Sequence, residues 1–193
     1  MNKNMIKKPT VCAIVAVGPD NVIGRGDGMP WYCPADYYHF RKKTIPYPCV
    51  FGRTTFENLP VRPLPDRFNL VCSSHYKNEY VDGVFYASSV GRAIAECKNY
   101  DQIFICGGAQ IYKYSIDNDL IDIMYLTIIK NSMLESEIKQ NPGAYCRFPF
   151  DVKKFLSLPE WKAKSIFYAP NELPKTDDKN ICEFYECVRM RGV

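Results

Sequence analysis

The chain has 193 residues, 47% of them hydrophobic and 24% charged, which is enough to bury one sizeable core and too few for two ordinary domains. Lys and Arg number 25 against 21 Asp and Glu, and the resulting net charge of +4 is spread along the chain; this suits a small anionic ligand and speaks against a nucleic-acid surface. No apolar run reaches the length of a membrane span, and Met1 to Pro9 carries lysines without an apolar stretch, so neither insertion nor export is expected, and a cytoplasmic location is.

Nine cysteines, at positions 12, 33, 49, 72, 97, 106, 146, 182 and 187, form an odd and scattered set, many inside apolar runs, and read as buried free thiols. There is no C-x-x-C and the histidines are His39 and His75 alone, so no metal site is expected.

In chain order, Val11 to Val17 reads as a strand. A glycine-rich stretch, Gly24-Arg25-Gly26-Asp27-Gly28-Met29-Pro30-Trp31, follows and predicts a tightly turned or mobile loop. Pro34 to Lys43 predicts a helix with proline at its start. Asp36 falls in its first turn, among Tyr37, Tyr38 and Phe40. One reading makes Asp36 a surface acid favoured by the helix dipole. The other makes it a carboxylate enclosed by aromatics, able to pair with a ligand that presents two adjacent N–H donors.

The strand Cys49 to Phe51 leads into Gly52-Arg53-Thr54-Thr55 at the start of a short helix, Thr54 to Leu59. Free amides, hydroxyls and a guanidinium there suit an anion, although Arg53 as a surface cation and Thr54 as a cap is the plainer alternative. Arg62-Pro63-Leu64-Pro65-Asp66-Arg67 is proline-braced and holds Arg67 at a fixed distance from Leu64, a setting for a carboxylate clamp or for a turn with solvated arginines.

Asn69 to Cys72 is a strand that ends in Ser73-Ser74-His75, at the carboxyl end where ligands of α/β sheets sit. Val84 to Tyr86 is a further strand, and Ser89 to Lys98 a helix with Ser88 or Ser89 as its cap. Ile103 to Cys106 runs into Gly107-Gly108 and then a helix beginning Ala109-Gln110-Ile111-Tyr112. The glycines allow close backbone approach to a phosphate or ring, but the pattern is not the G-x-G-x-x-G of an ordinary dinucleotide fold. Ile123 to Ile129 is a strand, and Asn131 to Arg147, polar and containing Asn141-Pro142-Gly143, reads as a surface loop or insertion. After a polar stretch, Ile181 to Met190 predicts an antiparallel edge strand. Strands alternating with helices give an α/β class with parallel pairing.

The ordered set of these segments resembles the dihydrofolate reductase family from about Thr10 to Arg189, most clearly between Ile14 and Thr127. The resemblance implies one domain over 1–193, with a core of about 10–190. It implies a central eight-stranded, mostly parallel sheet with an antiparallel C-terminal edge strand and four flanking helices. It also implies NADPH as hydride donor to the small-molecule substrate 7,8-dihydrofolate, a monomer with no nucleic-acid or membrane partner, a role in one-carbon metabolism and tetrahydrofolate biosynthesis, and sensitivity to antifolates.

Residue by residue, Asp36 resembles the pterin-binding acid, Trp31 the tryptophan that helps hold an ordered water beside it, and Thr127 the hydroxyl that supports the carboxylate. Ile14, Val15, Phe40, Leu59, Leu64 and Cys106 match positions enclosing the substrate, and Arg67 matches the clamp on its glutamate α-carboxylate. Ala16, Ile23, Asp27 and Gly28 resemble the nicotinamide surround. Gly52, Arg53, Thr54 and Thr55 resemble the phosphate site, Ser73 and Ser74 the contacts to the 2′-phosphate, and Gly107-Gly108 a glycine pair joined by a cis peptide. Ala109, Gln110 and Tyr112 complete that wall. The chain departs from the pattern at Asp66, where many members have Gly, at Cys106 and at Gln110, and no residue matches the acid that braces the active-site loop in some relatives. A reductase of riboflavin synthesis, the closest rival, lacks the pairing of this acid with the Arg67 clamp.

Overall fold

A computed structural model describes residues 8–26, 28–76, 78–168, 172–174 and 181–191. Asp27 lies outside the described residues. The strands are β1 (Thr10–Val17), β2 (Val22–Arg25), β3 (Cys49–Gly52), β4 (Asn69–Cys72), β5 (Glu79–Val81), β6 (Val84–Ala87), β7 (Gln102–Ile105), β8 (Ile123–Lys130), β9 (Tyr145–Arg147), β10 (Trp161–Ile166) and β11 (Ile181–Arg189). The helices are α1 (Pro34–Thr44), α2 (Arg53–Glu57), α3 (Val90–Glu96), α4 (Ala109–Asp117), α5 (Ser132–Gln140) and α6 (Val152–Phe155).

The main sheet runs β10-β11-β8-β1-β7-β3-β4-β6-β5. Its interior pairs from β8 to β6 are all parallel, whereas β11 on β8, β10 on β11 and β5 on β6 are antiparallel. β1 shows why the interior is buried on both faces. Val11, Ala13, Val15 and Val17 pack into one apolar cluster, while Cys12 and Ile14, pointing the other way, pack into a second. Phe56 of α2 and Phe40 of α1 belong to the second cluster, and Val90, Ala93 and Tyr112 of α3 and α4 to the first, so helices cover the sheet on both sides.

α1 begins with Pro34 at its first position, carries Asp36 in the first turn and ends in Arg41, Lys42 and Lys43, a charge order that complements its dipole. Ser89 caps α3, its hydroxyl accepting from the Arg92 amide at 3.1 Å.

Four expectations are corrected. Among the described residues the main sheet has nine strands, not eight, and β11 is not its edge, because β10 pairs along it from Trp161↔Arg189 to Ile166↔Phe184. Six helices are present among the described residues in place of four. The segment 131–147 is not an irregular loop: Asn131 caps α5 by accepting from the Leu134 amide at 2.9 Å, and Leu134 and Ile138, one turn apart, bury the helix against Val22, Trp31 and Ile129. Its end, β9, pairs with β2 in a separate two-stranded sheet.

All nine cysteines are free; six are buried as expected, Cys72 and Cys182 are half-buried, and Cys146 is exposed. Among the described residues no helix is long and apolar enough to cross a membrane.

Candidate active site

The site begins where two parallel strands part. β1 and β7 stay in register as far as Ala13↔Ile105, but β1 continues along β8 to Val17↔Ile128. The residues just beyond the parting, Ile14 to Ala16 on one side and Cys106 to Gly108 on the other, line a cavity of about 1190 Å³ at the carboxyl ends of the strands. The carboxyl ends of β3 and β4 extend its wall through Gly52 and Ser73.

Asp36 reaches this cavity from the first turn of α1 and is the one acidic side chain in its lining among the described residues. Only 7% of it is exposed. Burial raises its pKa from the ordinary 3.8 to about 6, and a hydrogen bond with the Thr127 side chain opposes the rise. Thr127, on β8 directly beside Ala16 of β1, is buried behind the lining. Trp31 also sits behind it. A Cβ on Gly18 would meet the Trp31 ring at 2.7 Å, so glycine there lets the indole pack flat, and the buried indole N–H has no hydrogen-bond partner among the described residues.

Apolar walls flank Asp36: Ile14 and Val15 from β1, Phe40 from α1, and Leu59 and Leu64 from the segment after α2. Arg67 is not in the lining. Its guanidinium lies over the Phe40 ring at 5.9 Å, its Nε donates to the Pro65 carbonyl at 2.9 Å, and its Nη1 donates to Thr44 Oγ1 at 3.1 Å. It therefore stands at the rim, beyond a ring that does line the cavity.

At the other end the wall is bare backbone. The Gly107–Gly108 peptide is cis, and the Gly52 amide donates to the Gly107 carbonyl at 2.6 Å. A Cβ on Gly108 would lie 2.8 Å from Thr55 Oγ1, and one on Gly52 would lie 3.2 Å from Ile111. Gly107 has a φ of +112°, in the region that favours glycine. Arg53, Thr54 and Thr55 open α2 into this end, and Ser73, Ser74, Ala109, Gln110 and Tyr112 complete it. Arg53 is also paired with Glu57 at 3.0 Å. Over the mouth, Ile23, Gly24, Gly26 and Gly28 line the cavity, and Arg25 and Gly28 exchange backbone hydrogen bonds at 2.8 and 3.1 Å.

The structure thus brings the expected residues to one cavity, with Trp31, Thr127 and Arg67 in supporting or rim positions and Asp27 outside the described residues. The sequence reading passed over Tyr37, Asn58 and Cys146, which also line it. Tyr37 follows Asp36 on the helix and could have been inferred from that neighbour. Cys146 carries no such signal, because β9 reaches the mouth only through its pairing with β2.

The chain matches the sequence model of the dihydrofolate reductase family over residues 10–142. It is 37% identical to the type 3 dihydrofolate reductase of Salmonella typhimurium across 94% of this chain and 99% of that protein. The dihydrofolate reductase of Haemophilus influenzae is 36% identical over 64% of this chain and 74% of its own length. Among solved structures, dihydrofolate reductase from Enterococcus faecalis in complex with NADP(H) and RAB-propyl superposes with a TM-score of 0.68 at 26% identity, covering 94% of this chain and 97% of that one. Sequence and architecture agree over nearly the full length, and this chain belongs to the dihydrofolate reductase family.

Proposed function

We propose that the chain reduces 7,8-dihydrofolate to 5,6,7,8-tetrahydrofolate with NADPH, by hydride transfer to the pterin ring and protonation of N5, in support of one-carbon metabolism and thymidylate synthesis. The observation that carries this reading is a single buried carboxylate, Asp36, set between apolar walls in a cavity whose far end is glycine backbone with Arg53 and hydroxyls.

Asp36, ionised for the most part at neutral pH, accepts from N3 and the 2-amino group of the pterin and so favours protonation at N5. Thr127 holds the carboxylate in place. The proton comes from water; the Trp31 indole N–H orients an ordered water beside the acid, and the glycine-rich mouth controls solvent access. Ile14, Val15, Phe40, Leu59, Leu64 and Cys106 enclose the substrate, and Arg67 takes the α-carboxylate of its glutamate.

The far end fits NADPH. A side chain at Gly108 would collide with the Thr55 hydroxyl, so glycine there keeps Thr55 in its place in the lining, and Gly52, Arg53, Thr54, Thr55, Ser73 and Ser74 offer amides, hydroxyls and a cation to phosphates. Ala16, Ile23, Asp27 and Gly28 surround the nicotinamide, with Gly107, Ala109, Gln110 and Tyr112 on the opposite wall. Bound NADPH supplies the hydride. The reading includes a monomeric, single-domain protein of the cytoplasm without a nucleic-acid partner, supported by one main sheet running from β10 to β5 and by the dispersed charge of the chain.

The test is NADPH oxidation followed by absorbance with 7,8-dihydrofolate, run with and without a diaminopyrimidine antifolate. Saturable, antifolate-sensitive oxidation is expected. NADPH binding with no oxidation would instead indicate reduction of another heterocycle.

A further inference from the structure

Asn69 is the first residue of β4, opposite Cys49 at the start of β3 and at the other end of that strand from the cavity-lining Gly52, and its side chain is almost completely buried. A polar amide in such a place is expected to be fully engaged. Its three side-chain hydrogen bonds run to one short stretch of backbone. Its Oδ1 accepts from the Leu64 amide at 2.9 Å, and its Nδ2 donates to the Leu64 carbonyl at 2.9 Å and to the Arg67 carbonyl at 2.9 Å. One carboxamide therefore fastens both ends of the turn Leu64-Pro65-Asp66-Arg67.

The two fastened residues face the ligand in different ways. Leu64 lines the cavity, and Arg67 stands at its rim over Phe40. Asp66, between them, has a φ of +60°, a conformation that costs a non-glycine residue and persists only where the surroundings impose it. Thr44 completes the arrangement from the other side: its Oγ1 donates to the Phe40 carbonyl at 2.8 Å and accepts from Arg67 Nη1 at 3.1 Å. The guanidinium is thus set by two anchors, Thr44 at its head and Asn69 at its main chain, with Pro65 accepting from Nε between them.

We infer that Asn69 is the positioning residue of the carboxylate clamp: by holding the Leu64–Arg67 turn, it presets the guanidinium that receives the substrate's glutamate. The inference rests on the reading of Arg67 as that clamp. Asn69 does not touch substrate. It reduces the reorganisation that Arg67 needs before a bidentate contact forms. Such an anchor acts on binding of the carboxylate and leaves the distant hydride-transfer geometry at Asp36 alone, so its loss appears in KM and not in kcat.

The experiment uses the full chain and two substrates, 7,8-dihydrofolate and a 7,8-dihydropterin without the benzoylglutamate tail. Steady-state KM and kcat, with thermal melting as a fold control, are measured for Asn69→Ala, Arg67→Leu and the double variant. Asn69→Ala is expected to raise KM for dihydrofolate about tenfold with kcat within about twofold, and to leave KM for the truncated pterin within about twofold. In the Arg67→Leu background the same change adds less than about twofold, because the group it positions is already gone. Equal losses for both substrates, or a full effect that persists without Arg67, overturn the inference. If Arg67→Leu itself leaves dihydrofolate KM unchanged, the clamp reading fails first and the inference with it. Should Asn69→Ala not fold, Asn69→Ser, which retains a hydroxyl for one of the three bonds, is put through the same comparison with the same criteria.

Discussion

The phenol of Tyr112 on α4 donates a 2.6 Å hydrogen bond to the carbonyl of Ile14 on β1. The bond spans the parting between β1 and β7, and it ties the glycine-backed wall of the cavity to the apolar wall that flanks Asp36. Burial pushes the Tyr112 phenol well above its usual range, so it is a donor at neutral pH. Tyr112→Phe leaves a buried carbonyl short of a partner. A loss of about 1–3 kcal/mol of stability is expected in chemical denaturation, together with about a tenfold fall in kcat/KM. Unchanged kcat/KM would mean that the two walls are not coupled through this bond.

Asp36→Asn separates chemistry from stability. Turnover of dihydrofolate should fall by on the order of 100-fold or more, while NADPH affinity, read by fluorescence titration, stays within about twofold. Stability should move in the opposite direction. Because burial raises the folded pKa from 3.8 to about 6, the native state binds more protons than the unfolded one between these values, so the wild-type contribution is complete below the lower value and is lost as pH rises through the upper one. The neutral amide avoids that loss, and at pH 7 the variant should be more stable by up to about 3 kcal/mol, the advantage disappearing near pH 4. Denaturation at pH 4 and pH 7 with equal differences would rule out this origin.

Gly108→Ala tests the cofactor end. The added methyl would sit 2.8 Å from Thr55 Oγ1, closer than real side chains come, so the Thr55 hydroxyl must turn away or the backbone at 107–108 must shift. NADPH affinity should weaken at least about tenfold. An unchanged titration curve would show that the wall has room to spare, and that the cofactor does not approach it.

Asp66→Gly concerns the departure from the family pattern. With a φ of +60° at this position, glycine is the residue the backbone favours, and aspartate holds the conformation at a cost. The substitution should stabilise the protein by up to about 1 kcal/mol, offset in part by the greater freedom of glycine in the unfolded chain. A destabilisation above that size in a urea titration would show that the Asp66 side chain contributes a bond of its own.

Much of this was readable in the chain. The buried strands β1, β3, β4, β6, β7 and β8 are continuous apolar runs with few polar interruptions, and their carboxyl ends placed Ile14, Gly52, Ser73 and Gly107 around one crevice. What escaped notice has a common physical cause. β10 buries Trp161 but leaves the next four residues exposed, so no alternation marks it as a strand, and only its long register with β11 defines it. α5 has an amphipathic signal in Leu134 and Ile138, with Asn131 as cap, but the proline and glycine that follow drew the reading toward a loop. Asn69 was invisible as a site residue, since a polar residue at a strand start is unremarkable until its bonds to Leu64 and Arg67 are seen. Arg67 was legible because Pro63 and Pro65 brace the segment that leads into it. Its stand on Phe40, outside the lining, was not.

The pairing of β2 with β9 sets two tiers of backbone protection in one molecule. Val22 is fully buried in the cluster of Trp31, Ile129 and Leu134, whereas the glycine-rich mouth beyond it is held by register pairs at Gly24 and Arg25 and by surface ion pairs, Arg25 with Glu137 at 3.3 Å and Arg147 with Asp20 at 2.7 Å. Exposed ion pairs contribute about 0–1 kcal/mol each, a small share of the roughly 5–15 kcal/mol that holds a whole domain. The mouth can therefore lift while β1, β7 and β8 stay paired, and the amides of β2 exchange with solvent by local opening long before those of the central sheet. Ligand can enter and leave on the timescale of that local opening, without any excursion toward the unfolded state.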